Sequence, residues 1–184
     1  AAAARLANPA IGWAYIDQSH YCPKLNNLMT LRNLMVKRQV ITTVEVLARP
    51  IAGRIKNHLV TGFVHKPYPP KYANLARKVG FDSSLFIRGV EGGVNPTLRA
   101  ATKHFHYING GELEALDVDP SSLGIDQAVR ITPIPFDSGA CDAKGVAKDV
   151  ELAAKLAAEA GLAALKGHRG TAYDSLAYDA ALIL

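Results

Sequence analysis

Apolar positions along the chain change period several times, and each change marks an element. "HLVTGFVH" (residues 58–65) sets Leu59, Val60, Phe63 and Val64 between two histidines and reads as a buried strand. "KPYPPKYANLARKVG" follows as a Pro-rich turn and a short helix stopped at Gly80, where a helix commonly ends on glycine. "SSLFIRG" (83–89) is the next strand. Strand, helix, strand in this order predicts a parallel crossover unit. Upstream, "IGWAYID" (11–17) alternates apolar and small residues and predicts a short strand. "CPKLNNLMTLRNLMVKR" (22–38) places Leu25, Leu28, Leu31, Leu34 and Met35 at helical spacing, with Pro23 in a first-turn position. The β-branched "QVITTVEVL" (39–47) predicts a strand. Downstream, "ATKHFHYINGGELEALDVDP" (101–120) predicts two strands turning at Asn109-Gly110-Gly111, with Asp119 capping the turn that follows. Two Ala/Leu-rich helices, over 146–167 and 171–184, complete an α/β chain with a mainly parallel sheet flanked by helices.

Composition adds bounds. The 184 residues suffice for one α/β domain with a full core, and no internal repeat or linker divides them. No apolar run reaches the length of a membrane span. The start, "AAAARLANPA", lacks an initiating Met and a charged-then-apolar leader, as expected of a mature or partial chain. Cys22 and Cys141 lie far apart outside any metal spacing, which predicts reduced thiols and an intracellular site. The net charge of +5 hides an asymmetry. Arg32 to Lys103 holds 13 Lys/Arg against three acids, and the rest holds eight against 13. A basic half predicts contact with phosphates or an acidic partner.

The chain contains no P-loop, no G-x-G-x-x-G, no zinc-type Cys/His cluster and no nucleophile elbow. Candidate chemistry rests on smaller features. "FIRGVEGGVNP" (86–96) leaves a strand through three glycines and one acid. It reads either as a backbone cradle for phosphate with Glu91 as a metal ligand, or as a tight turn. His65 and Arg88 stand at strand ends, where open α/β sheets collect ligands. Arg32, Lys37 and Arg38 cluster at a helix end, suited to anion recognition or to simple dipole capping. His104 and His106 share one strand face, a pattern of packing or surface more than of metal binding. Tyr68, Tyr72 and Tyr107 interleave with the cations, as in surfaces that stack single-stranded nucleic acid.

In order, these segments resemble the anthranilate phosphoribosyltransferase family. "LMTLRNLMVKRQVITTVEVLARPIAG" is similar to its R-x-x-x-G-x-R-x-x-x-N-x-x-G-P-L-x-N-P stretch, with Arg32 and Arg38 on the two arginines and Pro50 on the last proline. "HLVTGFVHKPY" and "LFIRGVEGG" resemble the strand that follows and the strand and loop bearing the family's acidic metal-binding pair. "LEALDVDPSSLGI" resembles i-x-P-e-d-f-G-l, and "GHRGTAYDSLAYDAALIL" the helix with G…RD…NAA. The closest resemblance is to a divergent branch of plants, algae and cyanobacteria. It implies the type III phosphoribosyltransferase (glycosyltransferase family 3) fold, a small helical domain beside a larger α/β domain. This chain would cover the later part of the α/β domain, without the helical domain or the G-T-G-G-D diphosphate loop.

Departures from the family pattern shape the functional expectation. Val94 and Asn95 fall on the D-E pair, and Thr42, Glu45 and Val46 on the N and G-P positions. A pyrophosphate leaving group relies on metal or cationic clamping, so losing the pair implies losing most of the activity. Arg32 keeps the role of the arginine facing the aromatic acceptor. The expectation is a protein without phosphoribosyl transfer that binds nucleic acid or another polyanion, or sits in a larger assembly. Its site residues would be Arg32, Lys37, Arg38, His65 and Arg88. The alternative is an active transferase passing phosphoribose to an aromatic acid such as anthranilate, with Mg²⁺ and Glu91 as a surviving metal ligand. The resemblance also implies a plastid or cytoplasmic location and a homodimer in the full-length protein.

Overall fold

The computed structural model describes residues 2–35, 41–90, 93–133 and 149–184. Five short helices come first: α1 (Ala2–Ala7), α2 (Gln18–Tyr21), α3 (Pro23–Asn26), α4 (Met29–Leu34) and α5 (Ile41–Glu45). Then come β1 (His58–Phe63), α6 (Tyr68–Val79), β2 (Ser83–Arg88), β3 (Thr102–Tyr107) and β4 (Glu114–Val118). A 3-10 turn (Pro120–Leu123), α7 (Val150–Leu165) and α8 (Thr171–Ile183) end the chain.

The sheet order is β1-β2-β3-β4. β1 and β2 pair in parallel from His58 opposite Ser83 to Phe63 opposite Arg88, joined by α6 as the crossover. α6 stops where Gly80, at φ 92°, takes the left-handed conformation and its N–H reaches the Ala76 and Arg77 carbonyls. β3 pairs antiparallel with β2 after the long connection 89–101, and β4 pairs antiparallel with β3 through the Asn109-Gly110 turn, both residues at positive φ. The α/β class therefore holds. Within the described residues, parallel pairing is confined to the crossover unit; the tight turn between β3 and β4 can join only antiparallel neighbours, and β3 also runs antiparallel to β2.

β2 is buried at four consecutive positions, Ser84 to Ile87, as expected of a strand covered on both faces. On one face, α6 brings Tyr72, Ala73 and Ala76 against Leu59, Phe63, Phe86 and Tyr107. On the other, Tyr178 of α8 packs with Leu98 and Ile125 and donates from its hydroxyl to the Val118 carbonyl at 3.2 Å. Asp119 caps the 3-10 turn as predicted, accepting from the Ser121 N–H at 3.0 Å.

Two predicted strands are corrected. Residues 12–17 form no strand, and Trp13 and Tyr15 are 65% and 79% exposed, so their alternation has no sheet to bury it. The described part of 39–47 is helical: Ile41–Glu45 is α5, followed by a turn that buries Leu47 in the α6-side core. Core anchoring there outweighs β-branched propensity. The helix predicted over 22–38 is divided, with α3 and α4 separated at Asn27-Leu28 and Pro23 in the expected first turn. Among the described residues, no helix is long and apolar enough to cross a membrane.

Candidate functional site

The parallel register brings the carboxyl ends of β1 and β2 side by side, Phe63 opposite Arg88. The chain leaves β2 in a tightly bonded loop. Gly89 donates to the Ile87 carbonyl (2.9 Å), Val90 to that of Asn95 (2.8 Å) and Gly93 to that of Val90 (3.1 Å). A methyl group on Gly89 would lie 1.7 Å from the Gly93 carbonyl oxygen, so only glycine fits there. Gly89→Ala is expected to cost about 1–3 kcal/mol of stability, because the clash forces the packed loop backbone to shift. Gly93→Ala, whose methyl would meet nothing nearer than 3.5 Å, should cost much less in the same urea titration. Equal losses would show that the loop does not depend on that approach.

Asn95 ties the loop to α8. Its amide nitrogen donates to Asp179 Oδ2 at 2.7 Å and approaches Ser175 Oγ at 3.5 Å. Among the described residues, Asp179 Oδ1 is buried without a partner. Burial pushes the Asp179 carboxyl up to about 6, against the pull of the Asn95 donation.

His104 anchors the other side. Its Nδ1 accepts from the Arg88 backbone N–H at 3.2 Å, and its ring meets Tyr178 edge-on at 6.5 Å. The imidazole is fully buried, and among the described residues its Nε2 has no partner. Burial pulls its pKa down to about 4, partly offset by Asp117, so it is neutral at pH 7.

Arg88, exposed at the end of β2, borders a cavity of about 450 Å³ with Gly89, Val90, Thr102, Lys103, Asp117 and Arg130. The Leu98 N–H donates to the Arg130 carbonyl at 3.4 Å, holding that segment beside the loop. Lys103 lies opposite Asp117 across the β3–β4 ladder, Nζ to Oδ2 at 3.5 Å. Both side chains are more than half exposed, so the pair contributes no more than about 1 kcal/mol.

Of the other predicted residues, Arg32 and His65 do not line this cavity. Arg32 Nη1 donates to both oxygens of Glu45, at 2.8 and 3.1 Å, and the two side chains are only 23% and 14% exposed. Its guanidinium thus already holds a carboxylate of its own chain. His65 is exposed at the end of β1 with its ring 5.9 Å from that of Tyr68. Lys37, Arg38 and Glu91 lie outside the described residues, as does Cys141. The predicted aromatic platform is corrected: Tyr72 and Tyr107 are core residues, and Arg77 covers the Tyr107 ring at 4.4 Å. Sequence reasoning missed Arg130, Asp179 and the anchoring role of His104. None sits in a local motif, and each gains its role from a partner far along the chain.

Among the described residues, no three of His, Cys, Asp or Glu gather closely enough to hold a metal ion. The amide of Asn95 and the alkyl group of Val94 do not fit a carboxylate-held Mg²⁺, so no step is routed through a metal.

No protein-family model matches the chain. It is 33% identical over 113 residues to an uncharacterized protein of Aquifex aeolicus strain VF5, covering 61% of this chain and 34% of that protein. It is 24% identical over 136 residues to the anthranilate phosphoribosyltransferase of Novosphingobium aromaticivorans, covering 74% and 40%. With that enzyme from Parasynechococcus marenigrum strain WH8102, identity is 25% over 122 residues, covering 66% and 34%. Anthranilate phosphoribosyltransferase from Saccharomyces cerevisiae, solved with 4-fluoroanthranilate, superposes with a TM-score of 0.52 at 20% identity, over 82% of this chain and 39% of the enzyme. A variant of the yeast enzyme with Mg bound superposes with the same TM-score. The chain spans 34% to 40% of the length of these relatives.

Proposed function

Starting from a divergent anthranilate phosphoribosyltransferase-like fold, we propose that this chain binds polyanions on its inherited scaffold and does not transfer phosphoribose. One observation carries the reading: among the described residues at the carboxyl end of β2, the acids have partners and the arginines have no acidic partner. Asp117 faces Lys103 and Asp179 holds Asn95, while Glu45, apart from this end, holds Arg32. Among the described residues, the guanidinium groups of Arg88 and Arg130 have no acidic partner. Transfer would need the opposite arrangement, with acids free to hold a metal on the diphosphate and Arg32 open to the acceptor's carboxylate.

Single-stranded nucleic acid suits this surface through its phosphates. With Tyr72 and Tyr107 in the core, base stacking on those rings has no support, so binding should be insensitive to sequence. For an oligonucleotide contacting Arg88, Lys103 and Arg130, log affinity against log salt is expected to fall with a slope of about −2, at roughly 0.7 per phosphate contact on a single strand. A flat salt dependence would overturn the reading. So would release of pyrophosphate when the protein is incubated with phosphoribosyl diphosphate, Mg²⁺ and anthranilate.

A further inference from the structure

We propose that the cavity between Arg88, Lys103 and Arg130 is a site for one compact phosphate dianion, a phosphomonoester, and that Asp117 holds Lys103 in reserve for it. The inference rests on the polyanion reading and specifies the ligand. Three cations from separate segments converge here: the last residue of β2, the second of β3, and the stretch after the 3-10 turn. Among the described residues, the lining carries one acid, Asp117, against three cations, an excess of two positive charges. A phosphomonoester near neutral pH carries close to two negative charges and would balance that excess. A carboxylate would balance only half of it, and a metal cation would be repelled. Two guanidinium groups suit a tetrahedral oxyanion, while the lysine supplies a point charge.

Asp117 gives the proposal its direction. It competes with the ligand for Lys103, and because the pair is solvent-exposed and loosely spaced at 3.5 Å, a phosphate can displace it. The cavity, at about 450 Å³, holds a phosphate with a small organic group, within the usual range for small-ligand sites. The ligand could therefore be a free small phosphate or the terminal phosphate of an oligonucleotide.

The experiment is a calorimetric titration of the whole chain with glycerol phosphate and, separately, with glycerol. A 5′-phosphorylated oligonucleotide is then compared with its 5′-hydroxyl form. Phosphate-dependent binding is expected, and Arg88→Gln and Arg130→Gln should each weaken it about tenfold, the scale of one charge-assisted hydrogen bond. Asp117→Asn should tighten it severalfold, a gain that a merely structural role for Asp117 would not produce. All three positions are exposed or on an exposed pair, and matching melting curves will verify that the variants fold. Preference for the 5′-phosphorylated strand assigns the site to nucleic-acid ends, and equal binding of both strands with tight glycerol phosphate assigns it to small phosphates. Equal binding of glycerol and glycerol phosphate, or unchanged affinity in both arginine variants, overturns the proposal. If glycerol phosphate binding is unchanged in those variants while oligonucleotide binding stays steeply salt-dependent, the cavity inference fails and the polyanion reading survives. If glycerol phosphate binding is lost in them while oligonucleotide binding is flat with salt, the cavity stands and the polyanion reading fails.

Discussion

Phe86→Ala is expected to lower the stability of the chain by about 3–5 kcal/mol, the usual cost of emptying an aromatic site in a packed core. Phe86 is fully buried in the middle of β2. Its ring lies 6.0 Å from Tyr72 of α6, nearly parallel, and 6.3 Å from Tyr107 of β3. Tyr107 is itself fixed by donating from its hydroxyl to the Phe81 carbonyl at 3.0 Å. The cavity left by truncation would thus be walled by groups that cannot easily collapse into it. Urea unfolding followed by circular dichroism measures the loss. Leu123→Ala, at a largely exposed position of the 3-10 turn, should change stability by less than about 0.5 kcal/mol. A loss below about 1 kcal/mol for Phe86→Ala would mean that β2 is not the centre of this core.

The second large effect is a pair of opposed pH dependences. His104 titrates at about 4 in the folded chain, below its ordinary 6.5. Its contribution is therefore complete above pH 6.5 and is lost as pH falls from 6.5 to 4, by up to about 3 kcal/mol. Asp179 titrates at about 6, above its ordinary 3.8. Its contribution is complete below pH 3.8 and is lost as pH rises through 6, again by up to about 3 kcal/mol. Between pH 4 and 6 the two nearly cancel. Asp179→Asn should expose the His104 dependence, so that the variant loses stability steeply on acidification. His104→Gln should expose the reverse, gaining stability as pH falls from 6 to 4.5. The carboxylates held low by hydrogen bonds, Asp17, Asp82 and Asp119, act only below this window. Melting temperatures between pH 4.5 and 7 test the pair, and parallel curves for the parent and Asp179→Asn would refute the assignment.

The local elements were legible wherever one segment's chemistry suffices. The apolar run of β1, the helix ended by Gly80, the Asn109-Gly110 turn and the Asp119 cap each need only neighbours in sequence. Residues 11–17 and 39–47 misled because a strand exists only when another strand pairs with it, and no propensity supplies that partner. The order of segments also carried the resemblance to anthranilate phosphoribosyltransferases, which the superposition on the yeast enzyme supports at the level of fold.

By itself, then, the sequence determined the crossover unit, the hairpin, the basic imbalance and the absence of carboxylates at Val94 and Asn95. Only the tertiary structure decided what the charged residues do. Arg32 and Glu45, 13 positions apart, neutralise each other. Asn95 and Asp179, 84 apart, close the loop onto α8. Arg88 and Arg130 are left facing one cavity. Electrostatic energy depends on distance in space and on burial, and neither can be read from spacing along a chain.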